Sequence, residues 1–393
     1  MKFEFSNKIK RLPPYIFFEI EKTLEEKRRA GADIISLSIG DPDLPTPQFL
    51  LDALREESVK PENHGYSNSR GEREFREAVA SWMKERFGVT VNPETEVTAL
   101  IGSKEGIAHL TRAFLNPGDK VLVPDPGYPA YLNGGVILNE AVPVFMPLTI
   151  ENSFLPEIDF VASSKAKIMF LNYPNNPTGA VIDKRVLGEI VEVAVGNNII
   201  ICYDNAYSEI TYGGYKAPSI LEVNGGMDVA VELHSFSKTF SMAGDRVGFA
   251  VGNKNLIEGI VKVKSQVDSG LPKYIQKVAI RALKSYVNGE PPKEVKTNIA
   301  IYWDRVKFLA EKLKEIGFEC NIPKGTYYVW TRCRGDSMQI ARKLLDAGVA
   351  VTPGIGFGEH GEGFLRFSAT RPIEDIKETC ERLAKMKNTF QSP

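Results

Sequence analysis

The 393-residue sequence is poor in cysteine, and its four cysteines lie far apart without a C-x-x-C pair. This spacing excludes a disulfide framework and a zinc cluster, and it favours a reducing compartment. The chain also lacks an apolar run long enough to span a bilayer, and its N-terminal segment lacks the apolar core of a secretory signal. We therefore expect a cytoplasmic protein without a membrane partner.

An excess of charge of either sign is missing too. The formal net charge is -1, from 49 Lys and Arg and 50 Asp and Glu residues. Such a chain has no positive field to hold a phosphate backbone, which argues against nucleic acid as the main partner. What the chain does have is length, and 393 residues exceed what one hydrophobic core usually organises. Two domains are expected.

Between about residues 47 and 284, short apolar runs alternate with amphipathic, helix-like segments. Several runs are almost continuously apolar, as in strands buried on both faces of a largely parallel sheet. This alternation predicts an α/β fold, with residues 47–284 forming a large domain. The predicted strands are Val97–Ile101, Lys120–Val123, Ile168–Leu171, Ile199–Tyr203, Val229–His234 and Val247–Val251.

The two ends of the chain have a different pattern. Residues 1–46 contain a charged helix candidate, Pro14–Ala30, and a short apolar strand, Ile34–Ser38. After a polar stretch near residue 290, another helix precedes two strand-like segments, Thr326–Thr331 and Gly363–Ser368. Residues 1–46 and 285–393 are predicted to form a smaller α+β domain together.

Two familiar motifs are misleading in this context. Residues 356–361 match G-x-G-x-x-G, which binds dinucleotides only where it opens a helix; here a strand-like segment follows, which indicates a glycine-rich loop between strands. Residues 235–238 match the S-x-x-K of serine β-lactamases, but the accompanying S-D-N and K-T-G motifs do not occur. Lys238 therefore needs another explanation.

A single lysine is normally a solvated surface group, but the surroundings of Lys238 favour a functional one. Lys238 lies just beyond the apolar strand Val229–His234, where α/β folds place ligand sites. Hydroxyl groups and one arginine flank it, at Ser235, Ser237, Thr239 and Arg246.

Three further segments follow predicted strands, and each has a simple structural alternative. Gly102–Gly106 leads into a helix and is either a phosphate-binding helix start or a plain turn. Asn172–Gly179 either provides amide donors in a cleft or simply forms turns with its prolines and glycine. Asp204, with Tyr207 one turn later, is either a helix cap or a charge held for a cationic partner.

Together these segments resemble one family. The motifs G-S-K (102–104), PGYP (127–130), NNPTG (175–179), D-x-x-Y (204–207) and S-x-S-K-x7-R (235–246) occur in the order typical of the class I/II aminotransferases among the fold-type I pyridoxal-phosphate enzymes. The resemblance implies a mostly parallel seven-stranded sheet between helices in the large domain. It also implies ping-pong exchange between amino acids and 2-oxo acids, in a homodimer with shared active sites.

Carried over residue by residue, the resemblance implies a complete cofactor site. Lys238 would carry the cofactor covalently and act as the base, and Asp204 would pair with its ring nitrogen. Asn176 and Tyr207 would bind the phenolic oxygen, and Tyr128 would stack on the ring. The phosphate ligands would be Ser103, the Lys104 backbone N–H, Ser235, Ser237, Arg246 and Tyr66 of the partner subunit.

The resemblance also implies how the amino acid binds. Arg366 would clamp its α-carboxylate, and Gly40 and Tyr15 would close over it. The Lys104 side chain could meet a distal carboxylate. Tyr128 and Asn176 complete the implied set of substrate contacts.

Within the family, segments such as LPPYIFFEIE, HSFSKTF and TPGIGFGEHGEGFLRFS are most similar to the LL-diaminopimelate aminotransferases. Three positions depart from that pattern: Ser69 replaces a glutamate of plant-type members, Asp245 an apolar residue, and Ser269 an asparagine. The alternatives are an aspartate- or alanine-type aminotransferase of broader specificity, a lyase of the same fold, and a non-enzymatic regulator. Arg366 and NNPTG favour transamination, and Lys238 argues against a regulator.

Overall fold

The computed structural model describes residues 3–386; residues 1–2 and 387–393, at the ends of the predicted smaller domain, lie outside the described part. Within it the α-helices are α1 (Asn7–Lys10), α2 (Ile16–Arg29), α3 (Gln48–Ser58), α4 (Arg73–Phe87), α5 (Ser103–Phe114), α6 (Ile158–Ser163), α7 (Lys184–Asn197), α8 (Gly226–Val229), α9 (Phe236–Thr239), α10 (Lys254–Val267), α11 (Lys273–Leu283), α12 (Lys293–Ile316), α13 (Ser337–Asp346) and α14 (Ile373–Lys385).

The β-strands are short, as expected for an α/β protein. They are β1 (Ile35–Ser36), β2 (Val97–Leu100), β3 (Lys120–Asp125), β4 (Val142–Pro147), β5 (Ile168–Leu171), β6 (Ile200–Asp204), β7 (Ala230–Ser235), β8 (Gly248–Gly252), β9 (Glu319–Cys320), β10 (Tyr328–Arg332), β11 (Val349–Ala350), β12 (Thr352–Pro353) and β13 (Phe364–Ser368).

A seven-stranded sheet of order β2-β8-β7-β6-β5-β3-β4 forms the centre of the fold. Every pairing from β7 to β4 is parallel, and β8 runs antiparallel to both of its neighbours. Strands β2, β5 and β8 are buried along their whole length, because helices cover both faces. The α/β fold with a mostly parallel seven-stranded sheet is confirmed.

The strand pattern missed one strand of this sheet, β4. It lies at the sheet edge, its residues Val142 and Phe145 are exposed, and prolines stand at positions 143 and 147. Proline lacks the N–H that a central strand must donate, so a proline-containing strand fits only at an edge. Because β4 is neither continuously apolar nor regularly alternating, hydrophobic pattern alone does not identify it.

The seven-stranded sheet and its helices form one set of layers, and residues near the two ends of the chain form a second set. Strands β12, β13, β10 and β9 form an antiparallel sheet, and β1 pairs in parallel with β11. The G-x-G-x-x-G segment lies between β12 and β13 in two short 3-10 turns, as a loop between strands. Helix α2 begins two residues later than the predicted Pro14–Ala30 and ends one earlier.

Buried apolar side chains form three main clusters. Two cover the opposite faces of the seven-stranded sheet, around Phe249 and around Phe170. The third joins α12 and α14 to β10 and β13, and it also takes in residues Ala206–Tyr212, which follow β6. The carboxyl end of β6 therefore lies where the two sets of layers meet. Within residues 3–386, no helix combines the length and apolar character needed to cross a membrane.

Candidate active site

One edge of the seven-stranded sheet collects the ends of several strands. Parallel strands β3, β5, β6 and β7 deliver the residues that follow them to this edge. Strand β8 runs the other way, so Arg246, which precedes it, reaches the same edge. Ligand sites of α/β proteins lie at such edges.

A cavity of about 290 Å³ opens there, and all the predicted site residues except Tyr66 line it. These are Tyr15, Gly40, Ser103, Lys104, Tyr128, Asn176, Asp204, Tyr207, Ser235, Ser237, Lys238, Arg246 and Arg366.

Tyr66 is the exception. It does not line the cavity, and 89% of its surface is exposed in the single chain. One chain by itself therefore does not bring Tyr66 to the site.

Asp204 lies at the floor of the cavity, at the end of β6. Its Oδ2 accepts a hydrogen bond of 2.8 Å from the Tyr131 hydroxyl, and the other oxygen, Oδ1, is buried without a partner among residues 3–386. Burial raises the pKa of Asp204 to about 6, while the Tyr131 hydrogen bond and the nearby His234 lower it. The free oxygen is therefore available to a cationic or N–H donor.

Lys238 follows β7, in the short helix α9, and its Nζ donates a 2.9 Å hydrogen bond to the carbonyl oxygen of Gly40. Burial lowers the pKa of Lys238 to about 8, although the carboxylate of Asp41 works against that shift. Arg366 and Arg246 lower it further. About a tenth of this amine is therefore uncharged at pH 7, far more than for an ordinary lysine, and a nucleophile or a base requires the uncharged form.

Groups suited to an anion gather at another part of the cavity. Helix α5 begins at Ser103, four residues earlier than the sequence pattern indicated. Ser103 and Lys104 therefore lie in its first turn, where backbone N–H groups have no partner within the helix. Gly102 has a φ of 75°, and a Cβ there would collide with the Arg246 guanidinium. Ser235 caps α9 by accepting from the Ser237 N–H.

Arg366 on β13 is 1% exposed and forms no salt bridge to a carboxylate within residues 3–386. Its Nη1 donates to Asn176 Oδ1 at 2.8 Å and its Nη2 to the Ser38 carbonyl at 2.6 Å, whereas Nε has no partner in the described part of the chain. The guanidinium lies 4.2 Å from the ring centre of Tyr328. A buried cation without a counter-ion is costly, and an anionic ligand would offset that cost.

Seven lining residues were not among the predicted site residues, although Asn172 begins a segment that the sequence singled out. They are Phe17, Ile39, Tyr131, Asn172, Ala206, Ala243 and Tyr328. Asn172 donates to the Asp204 backbone carbonyl at 2.7 Å, and Tyr328 shares a 3.0 Å hydrogen bond with the Tyr207 hydroxyl. Tyr131 carried a usable signal, because it follows Tyr128 by three residues, about one helical turn. Tyr328 carried none, since its strand reaches the site only through tertiary packing.

Known proteins with similar sequences and structures agree with this geometry. The chain belongs to the aminotransferase class I and II family, whose sequence model matches residues 32–383. It is a pyridoxal-phosphate-dependent aminotransferase. The family, the activity and the cofactor predicted from the ordered motifs are thereby confirmed.

Similar proteins extend over almost the whole chain. An LL-diaminopimelate aminotransferase of Aquifex aeolicus is 46% identical over 98% of this chain and 100% of its own length. Among solved structures, substrate-bound BacF of Bacillus subtilis is 40% identical, with a TM-score of 0.92 and full coverage of both chains. The aspartate aminotransferase of Thermus thermophilus with maleate is 28% identical, with a TM-score of 0.91 over 98% of this chain and 100% of the other.

The described residues fit the cofactor. A carboxylate with one free, buried oxygen matches a basic ring nitrogen, and the start of α5 with Arg246 matches a phosphate. An amine with a lowered pKa lies in the same cavity.

Proposed function

We propose that this aminotransferase acts on LL-diaminopimelate and exchanges its amino group with glutamate and 2-oxoglutarate. The observation that supports an amino acid as the substrate is the buried Arg366. It lines the same cavity as Lys238 and Asp204 and has no carboxylate partner among the described residues. The narrower assignment is supported by relatives of that name, which are 44–46% identical over 97–98% of the chain.

Asp204 and the anion-binding groups would hold the cofactor. Asp204 Oδ1 would accept from the protonated ring nitrogen, and Asn176 and Tyr207 would donate to the phenolic oxygen. Tyr128 would stack on the ring face. The phosphate would be bound by Ser103, Lys104 through its backbone N–H, Ser235, Ser237 and Arg246, the last as a planar fork.

When bound, pyridoxal phosphate draws electrons away from the substrate Cα. The protein supplies the proton transfer. The Lys238 amine, once released from the cofactor by the incoming amino acid, lies in the same cavity and takes the proton from Cα. It then returns that proton on the way to the 2-oxo acid. A pKa of about 8 suits both directions, because it brings the charged and uncharged forms of the amine closer to balance near neutral pH than in an ordinary lysine.

Arg366 orients the substrate. Asn176 and Ser38 hold two of its nitrogens, so the guanidinium plane is fixed before the α-carboxylate arrives. Gly40 and Tyr15 cover the bound amino acid from the segment that precedes the large sheet. Glycine at position 40 allows this close approach, because a Cβ there would collide with the Tyr328 hydroxyl.

The distal end of the substrate meets Lys104. Its Nζ lies 5.1 Å from the centre of the Tyr15 ring, at the cavity wall. A distal carboxylate would attract this ammonium group. The same feature supports a second candidate, an aspartate-type aminotransferase of broader specificity, since aspartate also carries a second carboxylate. The fold match to the Thermus thermophilus enzyme favours that alternative over a lyase.

The site is completed by a second subunit. In the proposed homodimer, Tyr66 of the partner subunit contacts the phosphate, which is supported by the 89% exposure of Tyr66 in the single chain. We also propose a cytoplasmic location, in line with four free cysteines.

The chain is further proposed to form two domains, residues 47–284 and residues 1–46 with 285–393. Separate apolar clusters support this division, although residues 206–212 of the large domain pack into the cluster of the small one.

The substrate is tested by incubating the purified protein with 2-oxoglutarate and one amino donor at a time, and by measuring glutamate. The donors are LL-diaminopimelate, aspartate, alanine and an aromatic amino acid. The proposal expects the highest kcat/KM with LL-diaminopimelate. Fast turnover of aspartate without turnover of diaminopimelate would replace it by the broader alternative. Lys104→Met, compared with the exposed Lys254→Met, should lower kcat/KM for dicarboxylic donors more than for alanine.

A further inference from the structure

Tyr131 is a buried tyrosine that lines the cavity and contacts Asp204. It begins a π-helical turn, Tyr131–Val136, and only 1% of its surface is exposed. Its hydroxyl donates to Asp204 Oδ2 at 2.8 Å. Its ring stacks on Phe170 with centres 4.9 Å apart and planes 15° apart, which leaves the hydroxyl little freedom.

This contact distinguishes the two oxygens of the Asp204 carboxylate. Oδ2 is taken by Tyr131, and Oδ1 has no partner among residues 3–386. Asn172 fixes the backbone at the same residue through the Asp204 carbonyl. Rotation of the carboxylate about its last torsion would break the Tyr131 hydrogen bond, so the free oxygen is held in one direction.

Tyr131 also contacts the residue proposed to stack on the ring. The rings of Tyr128 and Tyr131 meet edge to face, with centres 5.6 Å apart and planes at 86°. One side chain therefore supports both the carboxylate that would pair with the ring nitrogen and the aromatic residue that would stack on the ring.

We propose that Tyr131 is a positioning residue for transamination, whose hydroxyl keeps Asp204 ionised and aimed at the ring nitrogen of the cofactor. This inference rests on the proposed role of Asp204 but not on the identity of the substrate. A hydrogen bond donated to a carboxylate favours its charged form, and burial alone would favour the neutral form. Without the donor, Asp204 would hold a proton that the ring nitrogen needs.

Other titratable groups also act on Asp204, and none of them replaces this donor. The charges of His234 and Lys238 favour the ionised carboxylate without a direct hydrogen bond to it, and the backbone N–H of Ala206 favours it as well. The groups that face or neighbour Asp204 are Tyr128, Tyr131, Cys202, Tyr207, His234 and Lys238.

The test compares Tyr131→Phe with Tyr203→Phe. Tyr203 is a matched control: it precedes Asp204 on β6, is fully buried, and loses a hydroxyl that donates to the Tyr173 carbonyl at 2.9 Å rather than to the site. The primary measurement is the affinity of each apo-protein for pyridoxal phosphate between pH 5 and pH 9. The second is the pH-dependent absorbance of the bound cofactor.

Wild type and Tyr203→Phe should lose affinity on the acid side near pH 6, where Asp204 takes up a proton. In Tyr131→Phe this acid-side loss of cofactor affinity, here called the acid limb, should shift to a pH about one unit higher. The reason is that Asp204 loses a charge-assisted hydrogen bond. The value of kcat should fall about tenfold with little change in KM, as for a group that acts in the transition state. An acid limb that coincides with that of Tyr203→Phe overturns the proposal.

Two additional variants keep the test decisive. In the Asp204→Asn background, Tyr131→Phe should cause no further loss of affinity, and an additive loss would show that Tyr131 acts independently of Asp204. Should Tyr131→Phe unfold, Phe170→Leu loosens the Tyr131 ring while keeping its hydroxyl. It should move the acid limb in the same direction by a smaller amount, and an unmoved limb would contradict the proposal. These readouts need no amino donor, so they stand apart from any failure of the diaminopimelate assignment.

Discussion

Lys238 Nζ and the Gly40 carbonyl oxygen are 2.9 Å apart, which joins the end of β7 to the segment that follows β1. The buried amine is therefore in direct contact with the chain segment proposed to cover the substrate. Gly40 in turn lies against Tyr328 on β10. The contacts of Lys238 with Gly40 and of Gly40 with Tyr328 therefore connect both sets of layers around the cavity.

Replacing the amine should stop the reaction without emptying the site. Lys238→Ala should lower the rate of glutamate formation by about 10²–10⁴-fold, because the proton at Cα then has no acceptor of suitable position. The variant should still bind pyridoxal phosphate non-covalently, as measured by equilibrium dialysis. Lys254→Ala, which removes an exposed lysine at the start of α10, serves as the control. A rate close to wild type in Lys238→Ala would disprove the proposed role.

Capture of the cofactor by Lys238 should depend on pH in a defined direction. Burial lowers the pKa of this amine to about 8, and only the uncharged amine attacks an aldehyde. Below pH 8 the charged form dominates in the folded protein, so the rate of covalent attachment to the apo-protein should rise with pH and level off above about 8. Stopped-flow absorbance measures this rate. A plateau reached only near the ordinary lysine value would mean that the amine is not desolvated.

Arg366 should be specific for the substrate rather than the cofactor. Arg366→Lys keeps a positive charge but loses the planar fork that Asn176 and Ser38 hold, so kcat/KM for every amino donor should fall about 100-fold. Affinity for pyridoxal phosphate should stay within about threefold of wild type. The same change at the exposed Arg371 is the control. Loss of cofactor affinity equal to the loss of kcat/KM would contradict this assignment.

The close approach at Gly40 gives a steric prediction. In Gly40→Ala the new methyl group must displace the Tyr328 hydroxyl, which would break its hydrogen bond to Tyr207. We expect kcat/KM to fall at least about tenfold while the protein remains folded. Gly188→Ala is the matched control, since its Cβ meets no atom within 4 Å and alanine stabilises a helix. Equal activity of the two variants would show that the contact is unimportant.

The proposed sharing of the site between two subunits predicts complementation between two inactive variants. Tyr66→Ala and Lys238→Ala homodimers should each have low activity. A mixed dimer contains one site with an intact Lys238 and Tyr66 of the partner subunit, so unfolding and refolding the two variants together should restore up to about one quarter of the wild-type activity at equal mixing. Activity no higher than the sum of the separate variants would refute a phosphate contact across the dimer.

Local sequence determined much of this protein. The buried strands β5 to β8 were evident because strands covered on both faces must be apolar throughout, and the motifs that follow them fell in one characteristic order. The start of α5 was placed four residues too late, and the edge strand β4 was missed. Their boundaries depend on a glycine turn and on sheet position, which a window of hydrophobicity does not register.

Tertiary structure decided what the carboxylate and the guanidinium of the site can do. Tyr131 and Asp204 are 73 residues apart, and Arg366 and Asn176 are 190 residues apart, so no local pattern predicts either hydrogen bond. The shifts in the pKa values of Asp204 and Lys238 come first from burial, and burial exists only once the two sets of layers close over the sheet edge. The sequence determines which chemical groups are present, and the tertiary packing determines their protonation and their orientation.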